Sequence, residues 1–318
     1  MNDELIIQVN ENTDLRLDKY IVNNSNLSRT KVKSLFDDNL IFLNNINIDK
    51  LNIKVKKNDI ITIKTNLYSR NTEITLNPLE HLSPVNLPID IVYSDSEIMI
   101  INKPSGLLVY PTQHNEPDTL AHRLANYFIS QNIFSNAKEY RYGIVHRLDK
   151  DTSGLLIIAK NANMFNLLQD AMLNNQIKRK YIAIVNNCFD SKDFLFKINA
   201  PIGRVYSDEL KMRVNAPKDL KNAITIVNVL KNISNKFSLV ECELLTGRTH
   251  QVRVHMHYIN HPIYNDPVYG INKHTTKFNQ YLYCSHISFY HPINKELINI
   301  NLEMPHEFTD FIKLHEGE

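Results

Sequence analysis

The sequence predicts an α+β fold in two parts. Two short stretches between residues 15 and 36 carry apolar residues at helical spacing, and the runs that follow them alternate apolar and polar residues as strands do. From about residue 88 onward, longer β-prone runs alternate with a few helical segments. A chain of 318 residues also exceeds the length at which one hydrophobic core keeps growing. We therefore expect a small N-terminal domain and a larger C-terminal domain.

The composition is that of an ordinary globular protein, with 43% hydrophobic residues, 22% charged residues and a net charge of +2. Contact with a polyanion would therefore depend on local clusters of Lys and Arg. Cys188, Cys242 and Cys284 are too few and too far apart for a disulfide framework or a zinc-binding pattern. No apolar run is long enough to cross a bilayer, and the N-terminus lacks a signal-peptide pattern. We expect a cytoplasmic protein without membrane contact.

The N-terminal part predicts two helices followed by strands. Leu17, Tyr20 and Ile21 lie on one side of a first helix, and a second helix begins after Ser28 as its N-cap. The Asn44-Asn45 pair then predicts a tight hairpin turn between two short strands. Basic residues occupy the polar faces of both helices, and such a face is most often simply solvated.

The segments RLDKYI, LSRTKVKSLF, IFLNN and KVKKNDIITI resemble, in this order, a small RNA-binding module named after the fourth protein of the small ribosomal subunit, the alpha-L motif. We assign residues 12–66 to this domain. The resemblance implies that four basic residues contact RNA phosphates: Arg16, Arg29, Lys31 and Lys33. Asn39, Asn45 and Asn58 stand where Gly is common, and we interpret them as replacements because Asn tolerates positive φ.

Residues 67–87 show no sustained periodicity and contain Pro78 and Pro84. Proline interrupts regular structure, so we expect a linker here. The larger domain is then expected to span residues 88–318.

A compact charged run lies near the middle of the larger domain. Residues 141–160, RYGIVHRLDKDTSGLLIIAK, place Arg147, Asp149, Lys150 and Asp151 between two apolar runs. These charges must pair or remain hydrated, because an unpaired buried charge is very costly. Taken alone, the run is most simply an exposed charged loop.

A second polar stretch, LLTGRTHQVRVHMHYINHPIYNDPVYG, contains several histidines and leaves its secondary structure open. Val252, Val254 and Met256 alternate as in a strand, whereas Val252, Met256 and Ile259 have helical spacing. The histidines invite a zinc interpretation, but no carboxylate or Cys stands at a spacing that completes such a site. We therefore expect no metal.

The segment KRKYIAIV predicts a strand that begins with a basic triplet and Tyr181. An aromatic residue at the start of a strand is more often part of the core than functional. The basic triplet before it favours a nucleotide pocket, in which the ring can stack on a base.

INKPSGLLVYP, HRLDKDTSGLLIIAK, KRKYIAIV and the histidine-containing stretch together resemble the RluA-type pseudouridine synthases over about residues 88–305. PIDIVY, PIGR and DPVYG are similar to the RluD-like branch, which acts on large-subunit ribosomal RNA. The resemblance implies a mixed, mainly antiparallel-sheet catalytic domain. It also implies a monomer that needs no cofactor and acts on ribosomal RNA, free or in an assembling large subunit.

The resemblance assigns a catalytic role to three residues. Asp149 would be the catalytic aspartate, and Arg253 would pair with it. Arginine suits this task because its guanidinium stays charged and can bind a carboxylate through two donors. Tyr181 would stack on the uracil and help to remove the proton from C5.

Three further residues would contact the substrate. Arg147 would enter the RNA helix where the target base leaves, with His146 beside it, and Leu282 would line the base pocket. One departure from the family pattern is visible. Family members often write Leu-His-Ala where this chain has Leu282-Tyr283-Cys284, which leaves the contact made by that His unassigned.

The implied reaction breaks the bond from ribose C1′ to N1 of uracil, turns the base and joins it again through C5. No atom is gained or lost, which agrees with a sequence that shows no P-loop and no GxGxxG pattern. One carboxylate can attack C1′ or take a proton from C2′, and both routes stay open. Three alternatives also remain: a related synthase, RluC-like or directed at transfer RNA; a non-catalytic ribosome-assembly factor; and a metal-dependent hydrolase that uses the histidines.

Overall fold

The chain divides into two compact units, Met1–Leu76 and Asn77–Glu318. The computed structural model describes residues 4–11, 13–25, 27, 29–64, 82–112, 114–190, 194–205, 208–271 and 278–316. The expected N-cap Ser28 and most of the predicted linker lie outside these described residues. Residues 82–87, at the end of the predicted linker, have no regular secondary structure.

The N-terminal unit contains two helices and a four-stranded antiparallel sheet. Its elements are β1 (Glu4–Gln8), α1 (Leu17–Asn23), α2 (Arg29–Asp37), β2 (Ile41–Leu43), β3 (Ile46–Asn47) and β4 (Ile60–Lys64). The strand order is β1-β4-β2-β3. β1 precedes residue 12, the predicted start of the domain, yet it pairs along its whole length with β4. The folded unit therefore begins earlier than the sequence pattern indicates.

Asparagine provides the positive-φ positions of this unit. Asn39, Asn45 and Asn58 have φ angles of 58°, 66° and 75°, the positive range that Gly adopts readily and Asn tolerates. Asn44 also has a positive φ, so the turn between β2 and β3 has the two positive angles of a type I′ hairpin. The strand register is thus set without glycine.

The larger unit is built on one extended sheet. Its elements are β5 (Ile91–Ser94), β6 (Ile98–Lys103), α3 (Leu120–Ser130), β7 (Ser153–Ala159), α4 (Ala162–Leu173), β8 (Lys178–Asn186), β9 (Leu195–Asn199), β10 (Ile202–Val205), β11 (Asp208–Val214), β12 (Lys218–Lys221), β13 (Ile224–Asn232), β14 (Phe237–Leu244), α5 (Gln251–Tyr258), β15 (Leu282–Tyr290), β16 (Leu297–Asn301) and α6 (His306–His315). The main sheet has the order β5-β6-β7-β15-β8-β14-β13-β9, with β16 beside β15. β10, β11 and β12 form a second, small sheet.

All neighbouring strands of the main sheet are antiparallel except β7 and β15, which are parallel. This confirms the expected α+β fold with a mixed, mainly antiparallel sheet. The ambiguous segment around Val252 forms a helix, α5, rather than a strand. None of the helices that the structure describes is long and apolar enough to cross a bilayer.

The parallel contact between β7 and β15 depends on a glycine. Gly154 has a φ of +108°, and a Cβ there would lie 2.6 Å from the backbone nitrogen of Cys284 and still closer to its carbonyl oxygen. Only glycine allows both the angle and the approach. The loop that carries Asp149 is thereby held beside the start of β15, which carries Leu282.

We expect Gly154→Ala to lower the free energy of unfolding by roughly 3 kcal/mol or more, since strain and overlap combine at this position. Urea denaturation measures the loss. Gly106→Ala is the matched control: its φ is +87°, but a Cβ there meets nothing within 4 Å. The control should lose only about 1 kcal/mol. Equal losses in both variants would contradict the role of close strand approach.

Candidate active site

A buried lysine holds the loop that carries Asp149. Lys103, the last residue of β6, is fully buried, and its ammonium group can donate one hydrogen bond to each of three carbonyl oxygens. These belong to Pro104, Leu107 and Lys150, at 2.8, 2.8 and 2.9 Å. Burial lowers the pKa of Lys103 to about 7, although Asp151 and Asp149 act in the opposite direction. Lys103 therefore ties the loop that carries Asp149 to the end of β6.

Asp149 forms an ion pair with Arg253 of α5. Arg253 donates from Nη1 to Oδ2 of Asp149 over 2.9 Å. The side chain of Arg253 is 5% exposed and that of Asp149 is 19% exposed. One end of the pair is therefore buried, while the carboxylate remains accessible.

A second carboxylate clamps the same guanidinium. Nε and Nη2 of Arg253 donate to the two carboxylate oxygens of Asp266 at 2.7 and 2.8 Å. Asp266 also accepts from the backbone N–H groups of Val268 and Tyr269. Burial would raise the pKa of Asp266, but the hydrogen bonds and charge of Arg253 lower it below its usual value. Burial likewise disfavours charged Arg253, yet Asp266 and Asp149 outweigh it and raise its pKa.

The role of Asp266 was missed by the sequence interpretation. The phrase DPVYG was noticed as a whole, but its carboxylate was not assigned as a partner of Arg253. The usable signal was a lone Asp followed by a turn near an Arg-bearing helix. A buried arginine next to one partly exposed carboxylate needs a second partner.

His250 and Tyr269 complete the wall beside Asp149. The hydroxyl oxygen of Tyr269 accepts from the backbone N–H of Met212 and lies 2.9 Å from Nδ1 of His250. Nε2 of His250 lies 3.8 Å from Oδ1 of Asp149. Burial lowers the pKa of His250, and Asp149 acts in the opposite direction.

Asp149 opens onto two adjoining spaces. A cavity of about 50 Å³ is lined by Asp149, Arg253, Tyr181 and Leu282, among others. A groove of about 400 Å³ shares Asp149 and Tyr181 with this cavity. Burial, followed by the neighbouring Cys284, raises the pKa of Tyr181, so its hydroxyl stays protonated. The walls of the cavity therefore include an aromatic ring, an aliphatic side chain, one accessible carboxylate and several basic side chains.

Arg147 and His146 point to different surroundings, although they are neighbours in sequence. Arg147 is exposed and lines both the cavity and the groove. His146 is buried, and its Nε2 accepts from the backbone N–H of Ile157 over 3.2 Å. Burial and the charge of Arg179 lower the pKa of His146 to about 3, so the ring is neutral at pH 7. The hydrogen bond of its ring is therefore with β7, the strand that follows the loop.

The histidines of the second stretch do not converge. His255 lies within hydrogen-bond distance of Thr225 and of the carbonyl of Ala200, whereas His261 stacks on Phe189. His257 bonds to the carbonyl of Tyr269. Within the described part of the chain, no group of three His, Cys, Asp or Glu side chains is placed to hold a metal ion.

The N-terminal basic residues can be followed only in part. Lys33 is exposed on α2, whereas the side chains of Arg29 and Lys31 lie outside the described part of that helix. Arg16 is exposed but binds both carboxylate oxygens of Asp18, at 3.0 and 2.9 Å. Its charge is therefore partly neutralised in the free protein.

Known proteins are similar to this chain over most of its length. A family model described as RNA pseudouridylate synthase matches residues 97–258. An uncharacterized RNA pseudouridine synthase of Mycoplasma pneumoniae is 37% identical over 301 residues, covering 94% of this chain and 92% of that protein. The ribosomal large subunit pseudouridine synthase D of Borreliella burgdorferi is 38% identical over 268 residues, covering 82% of this chain and 77% of that protein. Among solved structures, the protein named human RNA pseudouridylate synthase domain containing 1 has a similar fold. The two structures superpose with a TM-score of 0.54 at 20% sequence identity, and the match covers 71% of this chain and 95% of that one.

We expect Asp266→Asn to lower the free energy of unfolding by about 3–5 kcal/mol, because it leaves the buried guanidinium of Arg253 with one carboxylate. Urea denaturation at pH 7 measures this loss.

The same pair makes the stability of the wild type depend on pH, because the pKa of Asp266 is lower in the folded state than in the unfolded state. The stability it contributes is therefore present above its unfolded pKa of about 3.9 and is lost as the pH falls through the lower folded value.

Asp118→Asn is the matched control. Asp118 binds Arg123 with the same two-point geometry, at 2.9 and 2.7 Å, but its side chain is 35% exposed. An exposed pair contributes only about 0–1 kcal/mol, so the control should stay near the wild type. A loss at Asp266 no larger than at Asp118 would show that the clamp does not stabilise the fold.

Proposed function

This chain belongs to the RNA pseudouridylate synthase family, and on that premise we propose that it converts uridines of large-subunit ribosomal RNA to pseudouridine in the manner of the RluD-like branch. Asp149 is the single catalytic carboxylate of the proposal. The observation that carries the proposal is an accessible aspartate that is paired with a buried arginine and faces Tyr181 and Leu282.

The pocket suits a flat, uncharged pyrimidine next to a carboxylate. Leu282 and the ring of Tyr181 supply apolar surface, while the guanidinium of Arg253 keeps Asp149 ionised and oriented. Asp149 then either attacks C1′ or removes a proton from C2′, and in both cases the bond to N1 breaks. The detached uracil turns against Tyr181, and C5 then bonds to C1′ as the bond from C1′ to Asp149 breaks or the C2′ proton is returned. C5 loses its proton and N1 gains one, so no atom is gained or lost overall.

Asp266 has a separate task in this scheme. If Asp149 forms a bond to C1′ or takes up a proton, it loses its negative charge. Without Asp266, Arg253 would then be a buried cation with no counter-ion, which is costly. The two hydrogen bonds from Arg253 to Asp266 keep it neutralised and in place throughout the reaction. We therefore assign Asp266 a positioning role.

Burial raises the pKa of Tyr181, so the side chain keeps its hydroxyl proton. Its ring can stack on the base, and its hydroxyl can form hydrogen bonds. It is not a phenolate at neutral pH. Removal of the C5 proton by Tyr181 would therefore require another group to accept its own hydroxyl proton. Water must stay out of this pocket, because it would trap the sugar before the base is rejoined.

A base in a folded RNA must leave its stack to reach Asp149, at a cost of a few kcal/mol that is lowest in loops and bulges. Arg147 is exposed at the groove and can occupy the space that the base leaves. We propose that the N-terminal unit is an alpha-L RNA-binding domain, assigned from the sequence to residues 12–66, which would add phosphate contacts through Arg29, Lys31 and Lys33. Arg16 must first exchange Asp18 for phosphate.

Ribosomal RNA is proposed as the substrate because relatives 33–38% identical are named ribosomal large subunit pseudouridine synthase D. A cytoplasmic monomer acting on free RNA or an assembling subunit belongs to the same proposal. Mapping pseudouridines in ribosomal and transfer RNA with and without the gene separates this target from an RluC-like or transfer-RNA-directed synthase. Loss of sites only in transfer RNA would overturn the ribosomal assignment.

We expect Asp149→Asn to reduce tritium release from RNA labelled at uracil C5 by about 10³-fold or more, because the attacking carboxylate is gone. RNA affinity should be unchanged or higher, since a negative charge facing a polyanion is removed. Asp170→Asn, on the exposed side of α4, is the control and should keep full activity. Retained turnover in Asp149→Asn would exclude Asp149 as the catalytic group, whereas full cellular function without turnover would favour a non-catalytic assembly factor.

We expect replacement of Arg29, Lys31 and Lys33 together by Ala to weaken RNA binding about tenfold or more, because three phosphate contacts are lost. Turnover of bound RNA should stay the same. The control replaces three exposed lysines of the same unit: Lys50, Lys56 and Lys57. Equal losses in both triple variants would point to bulk charge rather than to the second helix.

A further inference from the structure

Arg179 is a buried cation without a counter-ion. It lies in β8 and is 7% exposed, and its Nε is buried without a hydrogen-bond partner. No carboxylate in the described ranges pairs with its guanidinium. Arg253, by contrast, is equally buried but held by two carboxylates. An unpaired buried charge is strongly unfavourable, so Arg179 is poised for an anion that the chain itself does not provide.

The position of Arg179 relates it to the candidate active site. Side chains alternate along a strand, so Arg179 and Tyr181 share one face of β8, whereas Lys180 points to the other face and pairs with Glu241. Both residues line the groove of about 400 Å³ that contains Asp149. Two residues along a strand span about 6.6 Å. This separation is similar to that between the base and the phosphate of one nucleotide.

The groove around Arg179 is electropositive. Arg147 and Arg248 also line it, and Asp149 is the one carboxylate among its described lining residues. Asp149 is already paired with Arg253. An anion that enters this groove therefore meets guanidinium groups with little competition from the protein.

Gly247 provides the room that the guanidinium needs. A Cβ at this position would lie 3.2 Å from both Nη1 and Nη2 of Arg179. This distance is tighter than ordinary van der Waals contact, so a side chain would press on the planar group. The backbone of the groove wall is thus shaped around Arg179.

We propose that Arg179 binds a backbone phosphate of the RNA, next to the uridine whose base contacts Tyr181. The inference rests on the proposed function, because it takes RNA as the ligand. The phosphate supplies the missing counter-ion, and its oxygens match the flat fork of guanidinium donors. Arg179 is then a substrate-positioning residue that sets how far the nucleotide enters the groove.

The test compares Arg179→Met with Lys180→Met in the full-length protein. The probe is a fluorescent fragment of large-subunit ribosomal RNA that carries a mapped target uridine, and the dissociation constant is measured over a range of salt concentrations. Arg179→Met should weaken binding about tenfold or more. It should also reduce the slope of log K against log salt by about 0.7–0.9, as expected for one lost phosphate contact. Lys180→Met, on the opposite face, should change neither quantity.

The melting temperature separates a binding role from a structural one. Removing an unpaired buried cation should leave the melting temperature of the free protein unchanged or raise it. A lower melting temperature with an unchanged salt slope would overturn the proposal in favour of a structural role. Gly247→Ala and Arg179→Lys provide independent variants should the Met variant fail to fold. The first should weaken binding by crowding the guanidinium, and the second should keep the salt slope of the wild type.

Two further measurements identify the anion and separate a failure of this inference from a failure of the proposed function. Inorganic phosphate at matched ionic strength tests a free anion: if it stabilises the wild type but not Arg179→Met, while RNA affinity is equal in both, the RNA assignment is overturned. Tritium release by the wild type tests the proposed function separately. A wild type that binds but does not turn over contradicts the proposed function alone, whereas an Arg179→Met variant that binds normally contradicts this inference alone.

Discussion

The organisation of the larger unit depends on one buried guanidinium held between two carboxylates. Arg253 can be buried because Asp266 binds it at two points, and this leaves its remaining donor for Asp149. Removing charges from water is costly, and the cost is offset only when geometry and additional hydrogen bonds are good. Asp266 meets this condition because its carboxylate also accepts hydrogen bonds from the backbone N–H groups of Val268 and Tyr269. The accessible carboxylate is thus oriented by an arginine whose position does not depend on it.

Chain segments far apart in sequence converge on this pair through backbone constraints. The loop of Asp149 is tied to the end of β6 by Lys103, and Gly154 lets β7 lie directly against β15. His250 directly precedes α5, has a positive φ of 57° and faces Asp149. Non-glycine residues with positive φ are uncommon outside Asn and Asp and often mark functional sites. The site is therefore assembled from a loop, a helix start and two strands, and each is fixed by a local device.

The elements with clear periodicity were predictable, because burial of one face imposes the spacing that the sequence displays. This holds for α1, with Leu17 and Ile21 buried, and for the asparagines that adopt positive φ. The segment of α5 was ambiguous because almost all its side chains are buried, which removes the contrast on which periodicity depends. β1 and the small sheet were missed because short or exposed strands carry a weak pattern. Asp149 and Arg253 were identified through family resemblance, and they are in contact, while their catalytic role stays a prediction. Asp266 was not assigned, because its pairing with Arg253 is a tertiary contact and a lone Asp before a turn is a weak local signal.

Four of the six buried polar atoms that lack partners in the described residues lie in the loop of Asp149, at the strand start that follows it, or in the adjoining groove. Nδ1 of His146, Nε of Arg179, Oδ1 of Asp151 and Oγ of Ser153 are all buried without a hydrogen bond in the described structure. Native proteins leave few such groups, because each one costs stability. Three of them belong to the loop and strand start around Asp149, and the fourth lines the groove beside Tyr181. A region selected only for stability would satisfy or replace them. Arg253, by contrast, is held by two carboxylates, so an ordered ion pair at Asp149 lies next to polar groups for which the described chain supplies no partner.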